Sequence, residues 1–152
     1  MIPVTQTKVV VKNSKGEIII RGNCYAACIA SFLEVPITEV PNVEVFYHLD
    51  NGYHSEIMLT FLQSKGWELC SDDRFKCFHQ DFEDMNFGGR DHYAACFEEL
   101  KDKYYLASGK SERGVSHICI FKNGKLVHDP HPTKEGLKTI EYFQTLEKLI
   151  NH

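Results

Sequence analysis

Three side chains in this sequence are of the types that together attack a carbonyl group. Cys24 follows Gly22-Asn23 and opens a run of small apolar residues that predicts a buried helix. The unpaired N–H groups and the dipole of a helix N-terminus favour a thiolate, the form in which cysteine is a nucleophile. Cys24 is therefore the candidate nucleophile, and the alternative is that it is a small core residue.

The candidate base and the group that orients it lie in the C-terminal half. His117 begins an apolar strand and Asp129 ends the next one, with Asn123-Gly124 between them as a strong hairpin signal. Both lie six positions from Asn123. We therefore expect them to oppose each other, with Cβ atoms about 4.5–5.5 Å apart. An aspartate there fixes the tautomer of the imidazole. We expect Asp129→Asn to reduce activity less than Asp129→Ala, because an amide oxygen can accept the same hydrogen bond.

Acyl chemistry also needs hydrogen-bond donors for the oxyanion. Gln6 is the candidate side-chain donor, and the backbone N–H of Cys24 is the second. Residues 8–21 predict a β-hairpin, which returns the chain to its start before the helix begins. The alternative for Gln6 is a solvated glutamine near the N-terminus.

The remaining pattern predicts one α+β domain over residues 1–152, in which the buried N-terminal helix packs on a C-terminal antiparallel sheet. Helices are predicted over 24–33 and about 55–65. Strands are predicted at 67–69, 104–109, 116–121 and 125–129. Residues 139–150 have helical apolar spacing, although the segment could begin as a strand. We expect a long loop over 71–92 and a further element near 94–100.

Composition narrows the classes of function. The chain has 152 residues, of which 43% are hydrophobic and 25% charged, as in globular domains. A formal charge of −4 argues against a nucleic-acid partner. No apolar stretch approaches the ~18 residues that span a bilayer, and Met1–Gln6 does not resemble a secretory signal. We therefore expect no membrane partner, a cytoplasmic location and reduced cysteines. The oligomeric state is left open.

Metal binding is the main competing use of the cysteines and histidines. Cys24, Cys28, His128 and His131 are four possible ligands, because residues i and i+4 share a helix face. Structural zinc sites favour tight Cys-x-x-Cys turns, which are absent from these pairs. We expect no metal and no other cofactor, and we interpret Cys119 as an ordinary core residue.

The order of these motifs resembles the papain-like cysteine peptidase superfamily. The motifs are Gln6, the segment 22–33, His117 with its apolar strand, and Asp129-Pro130. The pattern is most similar to the double-glycine leader peptidase domains of bacteriocin exporters and to small papain-like proteins of phages and bacteria. Two departures stand out. Residue 23 is Asn where the leader peptidases have Asp, and 18 positions separate Gln6 from Cys24 where the family has only a few.

This resemblance implies a papain-like fold and a thiol protease, or amide hydrolase, that acts on a peptide or protein substrate through a thioester acyl-enzyme. It implies a Cys24–His117–Asp129 triad, with Gln6 in the oxyanion hole. A catalytically silent papain-like binding module is one alternative, because a fold does not determine a function. A thiol-dependent acyltransferase is another, because the same triad serves hydrolysis and transfer.

Overall fold

Two α-helices and eight strands make up the part of the chain that the structure describes. The computed structural model describes residues 1–49, 52–70, 76–81 and 100–149. The chain divides into two compact units that interleave along the sequence. The first contains Met1–Leu69, Pro130–Pro132 and Glu147–His152, and the second contains Cys70–Asp129 and Thr133–Leu146. The α+β content agrees with the prediction.

The first unit begins with the predicted hairpin. Strands β1 (Val11–Lys12) and β2 (Ile18–Ile20) pair antiparallel, and all five of their residues are exposed. The side chain of Asn13 holds the turn, since its Oδ1 accepts hydrogen bonds from the backbone N–H groups of Lys15 and Glu17. The paired strands are shorter than the predicted hairpin over residues 8–21 implied. Their apolar side chains face solvent.

Helix α1 (Cys24–Leu33) has the predicted bounds, and the residues from Ala26 to Ser31 are buried. It ends where Glu34 adopts the left-handed conformation with φ of 57°. Short 3-10 turns at Ile37–Glu39 and Val43–Phe46 lead to helix α2 (Tyr53–Ser64). Within the described residues, neither helix is long and apolar enough to cross a membrane.

The sheet is formed by β3 (Trp67–Cys70), β4 (Lys76–Asp81), β5 (Tyr104–Lys110), β6 (Ser116–Lys122), β7 (Lys125–His128) and β8 (Thr139–Lys148). The strand order is β3-β8-β5-β6-β7, and β4 also pairs with β8. The pairs β4–β8, β5–β6, β5–β8 and β6–β7 are antiparallel. These four pairings confirm the predicted antiparallel sheet.

The core of the second unit gathers around aromatic side chains of β5, β6 and β8. The ring of Tyr105 stacks with Phe121 at 6.1 Å and meets Phe143 edge-on at 5.2 Å between centroids. All three side chains are fully buried. The Tyr105 hydroxyl also accepts a hydrogen bond from the N–H of Gly124 at 3.0 Å. This core therefore anchors the β6–β7 turn, which connects the strand that carries His117 to the strand that precedes Asp129.

Residues 139–148 form strand β8 and not the helix that their apolar spacing indicated, so the alternative that this segment begins as a strand is confirmed. Thr139, Ile140, Tyr142 and Phe143 have the β-branched or aromatic side chains that strands favour. Pairing with β5 and β4 outweighs the apolar spacing. Within the predicted loop over 71–92, residues 76–81 form β4. The rest of that loop, and the segment 94–99, lie outside the described residues.

Candidate functional site

The second unit contains a buried pair formed by His117 and Asp129. His117 Nε2 lies 2.7 Å from Asp129 Oδ1, and the two residues are 3% and 2% exposed. The predicted contact is therefore present. A histidine whose ring nitrogen bonds a carboxylate is held in one orientation and one tautomer. Because Nε2 faces the carboxylate, any proton that His117 exchanges with a reactant passes through Nδ1.

The register that brings this pair together differs from the predicted one. Asn123 and Gly124 have φ of 50° and 76°, as a two-residue hairpin turn of type I′ requires. Lys122 pairs with Lys125, but Ile120 pairs with His128, so β7 contains one extra residue. With Lys122 opposite Lys125, the turn alone would place residue 130, and not Asp129, opposite His117. The extra residue then brings Asp129 level with Cys119, on the same face of the sheet as His117. The carboxylate reaches the imidazole along the diagonal of the sheet, which is within the reach of an aromatic side chain.

The carboxylate of Asp129 is itself held in place. Its second oxygen, Oδ2, accepts a hydrogen bond from the backbone N–H of Gly136 at 2.7 Å. The backbone carbonyl of Asp129 accepts another from Lys134 Nζ at 2.7 Å. Lys134 and Gly136 both have positive φ, so the loop turns back toward the aspartate. Sequence reasoning missed these two residues because nothing in the local pattern shows which carboxylate a loop N–H will meet.

Cys119 lies beside this pair and forms a cluster of three side chains with His117 and Asp129. Its Sγ, a ring nitrogen of His117 and a carboxylate oxygen of Asp129 lie within 4.8 Å of one another, and all three residues are buried. The prediction that Cys119 is a core residue is confirmed, since it is fully buried in the hydrophobic core of this unit. Its side chain also lies on the same face of β6 as His117, because residues i and i+2 of a strand share a face. That alternation was the available signal.

The cluster is also the one group of three metal-ligating side chains found in the described residues. Its geometry fits a shared proton better than a metal ion. Two ligands about 2.0 Å from a tetrahedral zinc lie about 3.3 Å apart, whereas His117 Nε2 and Asp129 Oδ1 are 2.7 Å apart. The alternative zinc set divides between the units, with Cys24, Cys28 and His131 in the first and His128 in the second.

The candidate nucleophile stands at the start of α1 in the first unit. Cys24 is half-buried, whereas Cys28 one turn later is fully buried. Asn23 directly precedes α1 but makes no side-chain capping hydrogen bond to the helix. The first N–H groups of α1 are consequently not covered by that side chain, and a helix N-terminus in this state suits a developing anion.

Asn23 instead ties the N-terminal segment to the helix. Its Oδ1 accepts hydrogen bonds from the N–H groups of Thr7 and Lys8 at 3.0 and 2.8 Å, and its Nδ2 donates to Thr7 Oγ1. The backbone N–H of Asn23 donates to the Lys8 carbonyl at 3.2 Å. The hairpin thus returns the chain to its start, as expected for the 18 positions between Gln6 and Cys24.

Gln6 therefore lies beside the residues that precede Cys24. It is buried, and its Nε2 donates to the Lys8 carbonyl at 2.7 Å. A Cβ on Gly22 would lie 3.1 Å from that Nε2, so the absence of a side chain there gives the amide room. Its Oε1 has no hydrogen-bond partner within the described residues. The bond to Lys8 uses one of the two hydrogens of Nε2.

The two halves of the predicted constellation belong to different units. Gln6 and Cys24 are in the first, and His117 and Asp129 are in the second. No family model, no curated protein and no solved structure matches the chain. The function is therefore argued from the residues themselves.

Proposed function

We propose that this protein is a papain-like thiol hydrolase that cleaves an amide bond of a peptide or protein through a thioester. The single observation that carries the proposal is the buried 2.7 Å hydrogen bond between His117 and Asp129. An imidazole oriented by a doubly held carboxylate is the arrangement that activates a thiol nucleophile. A catalytically silent binding module has no need of an oriented base.

In the proposed reaction, His117 Nδ1 takes the proton of the Cys24 thiol, and the thiolate attacks the carbonyl carbon to form a C–S bond. The oxyanion accepts hydrogen bonds from the N–H of Cys24 and from Gln6 Nε2. The C–N bond then breaks, and the imidazolium gives its proton to the leaving amine. Water attacks the thioester, the imidazole takes its proton, and cleavage of the C–S bond releases the acid and restores the thiolate–imidazolium pair.

Gln6 makes a second hydrogen bond within the first unit. Its backbone N–H donates to the carbonyl oxygen of Pro130 at 2.9 Å. We propose that Cys24 and His117 act on the same carbonyl.

Competitive alkylation tests the nucleophile. An isolated thiol is only a few per cent ionised at pH 7, so a thiolate stabilised by His117 should react about tenfold faster with iodoacetamide than the other cysteines. We expect Cys24 to be labelled first in the native protein, as read by mass spectrometry of partly alkylated samples. His117→Gln should abolish the preference while circular dichroism stays native.

Cys28→Ser is the matched control, because it removes a buried thiol one helical turn away and should leave the labelling of Cys24 unchanged. First labelling of another cysteine, or a preference for Cys24 that survives in His117→Gln, would contradict the proposal. A peptide-library screen then separates hydrolysis, which releases a free acid, from acyl transfer to an added amine.

A further inference from the structure

The first unit has a cavity of about 390 Å³ next to the segment that leads into Cys24. The three consecutive isoleucines of β2, Ile18–Ile20, line it and are its apolar wall. Lys8, Arg21, Glu44, Val45 and His48 complete the lining. The cavity therefore combines an apolar surface with basic side chains and one carboxylate.

The apolar wall is unusual because it faces solvent. All three residues of β2 are exposed, and Ile19 is 62% exposed. Within the described residues β2 pairs with β1 alone, in a two-stranded sheet. A strand with an unpaired edge binds extended peptides by adding a further strand, with affinity from the main chain and selectivity from side-chain pockets.

The charged side chains at the cavity indicate the complementary partner. Lys8, Arg21 and Glu44 are the charged residues that line it. The Lys8 ammonium is bound by Glu44 Oε1 at 2.7 Å. Arg21 has no ion pair within the described residues, so it is the cation at the cavity that is available to an acidic group.

The position of the apolar residues argues against a lipid partner. The tip of the hairpin is polar, at residues 13–17, and includes Lys15 and Glu17. The isoleucines lie instead at the end that leads to the proposed nucleophile. Arg21 precedes Cys24 by three residues, so their Cα atoms are at most about 11 Å apart. An extended peptide rises about 3.3 Å per residue and covers that span in three or four residues.

We propose that the β1–β2 hairpin and its cavity are the docking site for an extended peptide that has an aliphatic and an acidic side chain. Both side chains lie three or four residues from the peptide bond that is cleaved. This inference rests on the proposed function and names the substrate class of the same site. The isoleucine wall receives the aliphatic side chain, and Arg21 pairs with the acidic one. The hairpin, which lengthens the interval between Gln6 and Cys24, is thereby the element that selects the substrate.

Binding to the full chain carrying Cys24→Ser tests docking without turnover. The probe is a short fluorescent peptide with two leucines followed by two glutamates in a glycine-serine background, and anisotropy gives Kd. We expect it to bind about tenfold more tightly than matched peptides with lysine for glutamate or serine for leucine. Ile19→Ser and Arg21→Glu should each weaken binding about tenfold, and Arg21→Glu should improve binding of the lysine peptide.

Ile2→Ser and Lys15→Glu are the controls, because they make the same chemical changes at exposed positions that do not line the cavity. Equal binding of the three peptides, equal effects of the controls, or no binding of the acidic probe would overturn the proposal. So would tighter binding to phosphatidylserine vesicles or to a single-stranded oligonucleotide. Failure of the proposed function is distinguishable, since Cys24 would then lack preferential alkylation even if the peptide binds.

Discussion

At the scale of single residues, Asp129 is the side chain whose role the structure makes most specific. Both carboxylate oxygens accept hydrogen bonds, one from His117 Nε2 and the other from the N–H of Gly136. An asparagine has only one acceptor oxygen. In one orientation, the NH₂ group of the asparagine faces the N–H of Gly136, and two donors meet. In the other orientation, the NH₂ group faces His117 and donates to Nε2, so the proton of the imidazole moves to Nδ1. The structure therefore predicts a severe loss of activity for Asp129→Asn, in place of the mild loss expected from the sequence.

Asp129→Asn should consequently reduce turnover by on the order of 10³–10⁴, the scale expected when the imidazole adopts the wrong tautomer. Nitrogen NMR of the imidazole separates this from a structural defect. For the neutral imidazole of His117, we expect the proton on Nε2 in the unaltered protein and on Nδ1 in the variant. Asp102→Asn, at an exposed aspartate of the same unit, should change neither readout. An unchanged tautomer with unchanged activity would refute the positioning role.

At the scale of secondary-structure elements, the close approach of β5 and β8 supports the strand that carries His117. Gly109 pairs with His117 across β5 and β6. A Cβ at Gly109 would lie 1.9 Å from the carbonyl oxygen of Thr139, so only glycine fits. Lys110 N–H also donates to Thr139 Oγ1 at 3.1 Å, which ties the two strand ends together.

Gly109→Ala should therefore lower the free energy of unfolding by about 1–3 kcal/mol, the usual cost of forcing a methyl group into a packed interior. Chemical denaturation followed by circular dichroism gives the value. Ser108→Ala is the neighbouring control. The Ser108 hydroxyl is buried with no partner within the described residues, so its removal should be nearly neutral. Equal stability of the two variants would show that the strands separate without cost.

At the scale of the whole molecule, the interleaving of the two units decides how the protein is tested. The chain leaves the second unit after Asp129, passes through Pro130–Pro132 in the first, and re-enters the second at Thr133. No single cut separates the units, so the experiments above use the full chain.

None of the four cysteines in the described part of the chain forms a disulfide.

Elemental analysis of the full chain tests the competing metal chemistry. Because the His117–Asp129 separation of 2.7 Å suits a proton, the purified protein should contain no stoichiometric zinc, and a chelator should leave its Tm unchanged. One zinc per chain that disappears in Cys119→Ala would assign the cluster to a metal. One zinc that disappears in Cys28→Ser would assign it to the alternative ligand set.

Local sequence determined those features that depend on neighbours along the chain. The Asn123-Gly124 turn follows from the backbone conformations that these residues tolerate, and the bounds of α1 follow from a run of small apolar residues ending before Pro36. The contact between His117 and Asp129 was predictable because one tight turn joins their strands. Even there the predicted register was wrong, because the two-residue turn and the extra residue in β7 each shift Asp129 by one position from the place opposite His117, and nothing local specifies the extra residue.

Only the tertiary structure decided which distant groups meet. Gly136 binds Asp129 and Asn23 binds Thr7 and Lys8, contacts that no periodicity indicates. Strand β8 formed where apolar spacing predicted a helix, because pairing with β4 and β5 satisfies its backbone and buries Ile140 and Phe143. Local preferences are worth a fraction of a kcal/mol per residue, whereas pairing and burial act on the whole strand at once.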